Sequence, residues 1–297
     1  TFWQAVDGVS SQLGLAYARG SAVKPLKLVP RGNGAPPRET RVAYDGVGRV
    51  EVEPAQLRPV FGDPAHRLLR VQTEILIEPR LRPLILQYSG RDLAATDSGG
   101  RSLEPFSPNA TYELPLGNGR NDVAARAEFR VPAATELDRF NLRGDLTLQT
   151  AAGSETFLFA DLAESRGKAR RKGGVVTTLR KVEFTPPGDG EFAAEIGIGV
   201  AYETGGPAFE SHRTWVFHNE AWLEDKDGRR IEPEPDFKTL LQADGVVAIE
   251  YRFERLTGDA GGYRFVYVAP TLIINVPVRF EVRQIPISAP QPEGTRS

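Results

Sequence analysis

The chain contains no cysteine and no methionine, and only three histidines and three tryptophans among its 297 residues. Without cysteine there are no disulfides, no thiol nucleophile and no thiolate-ligated zinc. The missing methionine leads to the expectation of a processed mature form or an excised piece, with export and signal removal as the route. No apolar run approaches the roughly 18–20 residues a membrane helix needs, and no charged-then-apolar leader opens the chain. A formal net charge of −2 argues against a dedicated nucleic-acid binder, whose affinity rests on a concentrated basic face. The Gly-x-Ser-x-Gly nucleophile elbow and the His-Glu-x-x-His zinc motif are both missing. Gly197-x-Gly199 lies inside an apolar run, not at a strand-to-helix turn, so it is no dinucleotide loop.

What is present is an internal similarity. Residues 95–105 run Ala-Thr-Asp-Ser-Gly-Gly-Arg-Ser-Leu-Glu-Pro, and 223–233 run Leu-Glu-Asp-Lys-Asp-Gly-Arg-Arg-Ile-Glu-Pro. Each passes from a strand-like run through an acidic, glycine-containing turn to a second strand ending in Glu-Pro. A separation of roughly 125 residues is one domain's length, which points to tandem modules and away from a short-period solenoid.

The first residues read as a helix. Thr1 and Gln4 have capping-box spacing, and Phe2, Val6, Val9 and Leu13 form one apolar face before Gly14 stops the helix. Two short strands follow at 15–18 and 26–29. The stretch from Thr1 to Tyr17 resembles the helix-to-strand portion of the short secretin/TonB N-terminal (STN-like) domain, without the strand that precedes the helix in that family. The resemblance implies a Gram-negative-type envelope location and protein–protein contact, and no catalysis. The chain as a whole resembles secreted bacterial proteins that join an STN-like start to tandem β domains, a family to which no activity attaches.

From residue 41 the pattern changes to period two. Strands are predicted at 49–53, 69–78, 84–88, 123–131, 145–150 and 156–160, then at 175–184, 193–203, 214–224, 246–255, 263–269 and 272–282. The predicted fold class is mostly β: two tandem antiparallel immunoglobulin-like β-sandwiches preceded by a small, truncated α/β segment. The predicted division is 1–40 for that segment, 41–165 and 174–288 for the sandwiches, 166–173 for a basic solvated linker or edge, and 289–297 for a disordered tail.

Functional side chains concentrate at 209–222. On one strand, Glu210, His212, His218 and Glu220 share a face, and Arg213, Trp215 and Phe217 share the other. His212 and His218 are then roughly 20 Å apart at about 3.3 Å per residue, too far to ligate one zinc ion, so no metal site is expected. Trp215 reads as a core tryptophan. Asp225, Asp227 and Glu234 fall on calcium-loop spacing around Gly228, but Leu223 stands where the first ligand belongs and prolines follow, so the stretch reads as a hairpin turn.

The reading adopted is a non-catalytic binding or scaffold protein outside the bacterial cytoplasm, in periplasm or secreted, recognising a protein or polysaccharide partner. His212, His218, Glu220, Trp222 and Tyr263 are the candidate binding residues, with Trp222 and Tyr263 as exposed aromatics. No cofactor, nucleic acid or transmembrane segment is expected. The competing reading is a carbohydrate-active or other hydrolytic enzyme using Glu210, His212, His218 or Glu220, with its site in the second sandwich or in a cleft between the two.

Overall fold

The computed structural model describes residues 1–17, 28–30, 41–116, 121–185, 190–202, 216, 219–243 and 245–288. In chain order it begins with α1 (Phe2–Gln12), β1 (Leu15–Tyr17), β2 (Leu28–Pro30), β3 (Val42–Asp45), β4 (Gly48–Val52), β5 (Ala55–Val60) and β6 (Asp63–Ile77). There follow β7 (Arg82–Ser89), β8 (Leu93–Asp97), β9 (Ser102–Pro105), β10 (Thr111–Pro115), β11 (Asp122–Pro132) and β12 (Arg139–Phe159). The remainder is α2 (Leu162–Ser165), β13 (Ala169–Lys172), β14 (Val175–Phe184), β15 (Glu191–Tyr202), β16 (Ala221–Glu224), β17 (Arg230–Ile231), β18 (Phe237–Ala243), β19 (Val246–Thr257) and β20 (Arg264–Ser288). The fold is mostly β, in a large mixed sheet, a five-stranded antiparallel sheet and a two-stranded pair.

Two compact units divide the chain: Thr1–Thr150 with Asn275–Ser297, and Ala151–Ile274. This differs from the expected boundaries, because β12 and β20 each run on from one unit into the other. Residues 166–173, expected as a basic linker, contain β13, which pairs with β14 from Ala169↔Thr178 to Lys172↔Val175. The predicted tail at 289–297 lies outside the described residues.

In the first unit α1 starts as its sequence dictates. The Gln4 amide donates to Thr1 Oγ1 at 3.2 Å, and the N-terminal amine donates to Gln4 Oε1 at 2.7 Å. Gly14, at φ +65°, turns the chain into β1, a backbone position that glycine adopts without steric cost. Trp3 is fully buried and packs with Leu76, and its Nε1 donates to Val47 O at 3.2 Å. Arg49, also buried, donates from Nε to Asp7 at 2.8 Å and from Nη1 to Glu51 at 3.0 Å, while the Tyr44 hydroxyl donates to Asp7. Burial, and then the bond to Asp7, push the Tyr44 hydroxyl up to about 12. A polar clamp thus fastens the helix to the β3–β4 hairpin.

The core of this unit gathers the inward side chains of β4, β6, β8, β11 and β12, including Val50, Leu69, Ile75, Phe129, Phe140 and Leu148. Strand β6 pairs with β11 in antiparallel register through Leu69↔Phe129, with β4 through Val50↔Ile75, and with β5 through Leu57↔Leu69. The end of β20 adds to β5 in parallel, at Ile287↔Ala55 and Ser288↔Gln56.

In the second unit the antiparallel order is β13-β14-β15-β19-β18. Strand β15 buries Phe192, Ala194, Ile196, Ile198 and Val200 at period two, as a half-buried strand should. On its other face Gly197 makes room: a Cβ there would stand 2.8 Å from Lys181 Cβ and 2.9 Å from Leu240. Lys181 reaches Glu195 at 2.6 Å, Glu250 at 2.8 Å and Glu183 at 3.2 Å. Strand β20 pairs with β16, and its Phe265 ring lies 6.2 Å from Tyr251 and 6.3 Å from Phe253 of β19. Aromatic packing therefore joins β20 to the five-stranded sheet within this unit.

Candidate functional site

A cleft of about 540 Å³ opens in the first unit beside the β5–β6 hairpin, within the size range of small-ligand sites. Its apolar wall is Leu57, Pro59, Val60, Pro64, Leu137 and Ile287, and its polar lining is Arg58, Asp63, His66, Arg67, Asp138 and Ser288. Val60 pairs with Asp63 across a two-residue turn, Phe61-Gly62. Gly62 has φ +77° and Phe61 does not share it, the pattern of a type II turn with glycine at its second central position. The turn leaves Phe61 fully exposed, at 105%, next to Val60 on the cleft wall.

The polar groups are held by short local bonds. Asp63 Oδ1 accepts from the Ala65 amide at 3.2 Å, and its Oδ2 lies 2.9 Å from His66 Nδ1. A carboxylate only accepts, so Nδ1 carries the proton between them and Nε2 is turned away from Asp63. Among the described residues Nε2 has no partner. Arg67 donates to Thr135 O, while its buried Nε has no partner. Arg58 donates to Gln56 Oε1 at 2.7 Å, and the Ile287 amide donates to Asp138 O at 2.9 Å, closing one side of the cleft.

This lining offers polar contacts beside an apolar wall. Ser288 lines the same cleft but makes no hydrogen bond to His66, so no nucleophile–base pair is formed. Among the described residues no three His, Asp or Glu side chains converge as a metal site.

The residues singled out by sequence fare differently. His212 and His218, with Glu210 and Trp215, lie outside the described residues. Glu220 has a side chain 58% exposed and faces Arg230 at 3.7 Å. Trp222 is half-buried: the Arg230 guanidinium lies 4.0 Å above its ring, and its Nε1 donates to Glu224 at 3.1 Å. Glu224 in turn accepts from Arg264 at 2.6 Å. One face of that ring is therefore already covered by a cation.

Tyr263 corrects the expectation of an exposed aromatic. It is buried, its hydroxyl donates to Thr257 O at 2.7 Å and accepts from the Thr257 amide at 3.1 Å, and its ring meets Phe192. The hydroxyl is used up by the backbone, which is why a tyrosine and not a phenylalanine fits there.

The cleft itself was missed by the sequence reading. The predicted strands skip from 53 to 69, a stretch that carries Pro59 and Pro64, a residue type that cannot donate to a strand ladder. The usable signal was Val60-Phe61-Gly62-Asp63-Pro64, a turn placing one bare aromatic beside an Asp-x-x-His pair.

No family model matches the chain, and no curated protein matches it. Among solved structures, one titled "pT26-6p" aligns over 82% of this chain at 7% identity and a TM-score of 0.21. The chain spans 64% of that structure's length, and at this score the likeness bears on neither fold class nor function.

Proposed function

We propose that this chain is a non-catalytic binding or scaffold protein of a bacterial cell envelope, recognising a protein or glycan partner through the cleft beside the β5–β6 hairpin. The observation that carries this reading is the pairing of an apolar wall with His66, whose Nε2 has no partner among the described residues, and no nucleophile bonded to the histidine. Such a composition orients a ligand without supplying a reaction.

The finer architecture belongs to the same proposal: two related immunoglobulin-like sandwiches after an STN-like start. The bond from the Tyr263 hydroxyl back to Thr257 supports it, since a tyrosine so tied to upstream backbone is a hallmark of those sandwiches. The alike turns at Asp97 and Asp225 support relatedness of the two halves. The helix α1, ended at Gly14 and followed by paired β1 and β2, supports the STN-like reading. An extracytoplasmic location rests on that resemblance and is tested by fractionating the native host.

The function is tested by selecting random peptides and a glycan array against the intact protein and against Leu57→Arg. Ligands enriched on the wild type and lost on Leu57→Arg support the cleft. Equal retention by both proteins refutes it as the site, and release of a cleaved product from any retained ligand refutes the non-catalytic reading.

A further inference from the structure

Five cations, Arg166, Lys168, Arg170, Arg171 and Lys172, lie within seven residues, all exposed. They lie on or just before β13, the outermost strand of the five-stranded sheet. Two are held in place over buried rings: the Arg170 guanidinium lies 4.9 Å above Phe159, and Lys172 Nζ lies 6.0 Å above Phe157 while donating to Thr156 O at 2.8 Å. Several other cations of this protein meet carboxylates, as in Arg70–Glu128 at 2.8 Å, Arg264–Glu224 at 2.6 Å and Arg283–Glu281 at 2.7 Å. Among the described residues Lys168, Arg170 and Lys172 have no carboxylate partner, although Glu155 and Glu164 are near in the chain. A concentration of fixed, unneutralised charge is a binding surface for the opposite sign.

From this we propose that β13 and the residues before it bind an anionic polysaccharide. Arg170 and Lys172 share one face of β13, which spaces them by about 6.6 Å along the strand, and Lys168 immediately precedes that strand. That makes a run of point charges along the sheet edge, matched to a linear polymer carrying one acidic group per sugar unit or two. A single-stranded nucleic acid is disfavoured because the aromatic rings here lie buried beneath the cations and offer no stacking surface. A bilayer is disfavoured because residues 166–174 (Arg-Gly-Lys-Ala-Arg-Arg-Lys-Gly-Gly) contain no apolar anchor among the charges. Charge on an edge strand also discourages strand pairing, but that role has no need of heads fixed over rings. The surface shares no residue with the cleft, so either reading can fail alone.

The test is calorimetric titration of the intact protein with heparin and with polygalacturonate at low and at physiological salt. Wild type is expected to bind at least one of them, with affinity falling as salt rises. The variant Lys168→Gln/Arg170→Gln/Lys172→Gln is expected to lose affinity about tenfold or more and to show a shallower salt slope. Arg252→Gln/Arg279→Gln/Arg283→Gln, which removes equal charge at other exposed sites, is expected to bind as wild type. If the first variant melts early, hydrogen exchange of the wild type decides: heparin must protect 168–172. The proposal is overturned if neither polymer binds, if both variants lose affinity equally, or if 168–172 stay unprotected. It is equally overturned if oligo-dT or phosphatidylglycerol vesicles bind more tightly than either polysaccharide.

Discussion

Asp225 stands to its turn as Asp97 stands to its own. Asp97 Oδ1 accepts from the amides of Gly99 at 3.0 Å and Arg101 at 2.8 Å; Asp225 Oδ1 accepts from Asp227 at 3.0 Å and Arg229 at 2.9 Å. Each turn is closed by the amide of a glycine with positive φ, Gly100 or Gly228, donating to the aspartate carbonyl at 3.0 Å. In each, the arginine four residues on returns to the carboxylate, at 3.5 Å and 3.2 Å. The side chain does the work of a backbone carbonyl in both places, which is why an acidic residue opens both hairpins.

Removing that acceptor has a stated cost. Asp97→Ala strands two amides at a nearly buried position and should destabilise by about 1–3 kcal/mol in urea unfolding. At Asp225 the amide of Arg229, before any other group, holds the carboxyl below its ordinary value. A depressed folded pKa means the stabilisation is present above the unfolded value and is lost as pH falls through the folded one. The difference between wild type and Asp225→Asn should thus be complete above about pH 4 and shrink below it. A difference that instead grows in acid sinks this account.

The clamp around Arg49 makes a graded prediction. Asp7→Ala takes the acceptor from both Tyr44 and Arg49 yet leaves Arg49 facing Glu51, and should cost about 1.5–3 kcal/mol. Arg49→Leu takes a buried cation away from two carboxylates and should cost more, about 3–5 kcal/mol. Tyr44, raised to about 12, contributes stability that is whole below its ordinary value and lost between about pH 10 and 12. Urea midpoints of Tyr44→Phe should lack that alkaline loss.

Close packing in the first unit is tested at Gly144. A Cβ there would stand 2.2 Å from Phe280 Cε1 and 2.6 Å from Cζ, and Phe280 is itself buried. Gly144→Ala should cost about 1–3 kcal/mol by overpacking. Adding Phe280→Leu should recover part of it, giving a double-mutant cycle that is not additive.

Local chemistry was legible in the chain and long-range pairing was not. The capping box at Thr1 and the aspartate turns need only neighbours a few residues away, and both stand where they were expected. Strands β12 and β20, of 21 and 25 residues, were read as pairs of short strands. The breaks fall near Gly153 and Pro270, yet β20 absorbs its irregularity at Leu272, with φ +51°, and pairing continues. The domain boundary was hidden for the same reason, since it falls within unbroken strands. Strand β13 looked like a linker because its side chains do not alternate in polarity; its place is set by backbone bonds to β14. Most of the histidine-rich run at 209–222 lies outside the described residues, and the cleft at His66 carries no sequence motif of its own.

At the cleft, stability and recognition should separate. Phe61 makes no buried contact, so Phe61→Ser should leave the urea midpoint unchanged to within about 0.5 kcal/mol. The same change should weaken any ligand that Leu57→Arg also releases, since both side chains border one wall. A variant that melts early, or that keeps full affinity for such a ligand, removes Phe61 from the recognition surface.

Tyr263 offers the sharpest contrast between a binding and a packing role. Its hydroxyl spans the amide and carbonyl of Thr257, so Tyr263→Phe removes two part-buried hydrogen bonds while keeping the ring against Phe192. The expected loss is about 0.5–1.5 kcal/mol in unfolding, with faster hydrogen exchange at the Thr257 amide and no change in ligand binding. A stable Tyr263→Phe protein with impaired binding would return this residue to the recognition surface that its aromatic character first suggested.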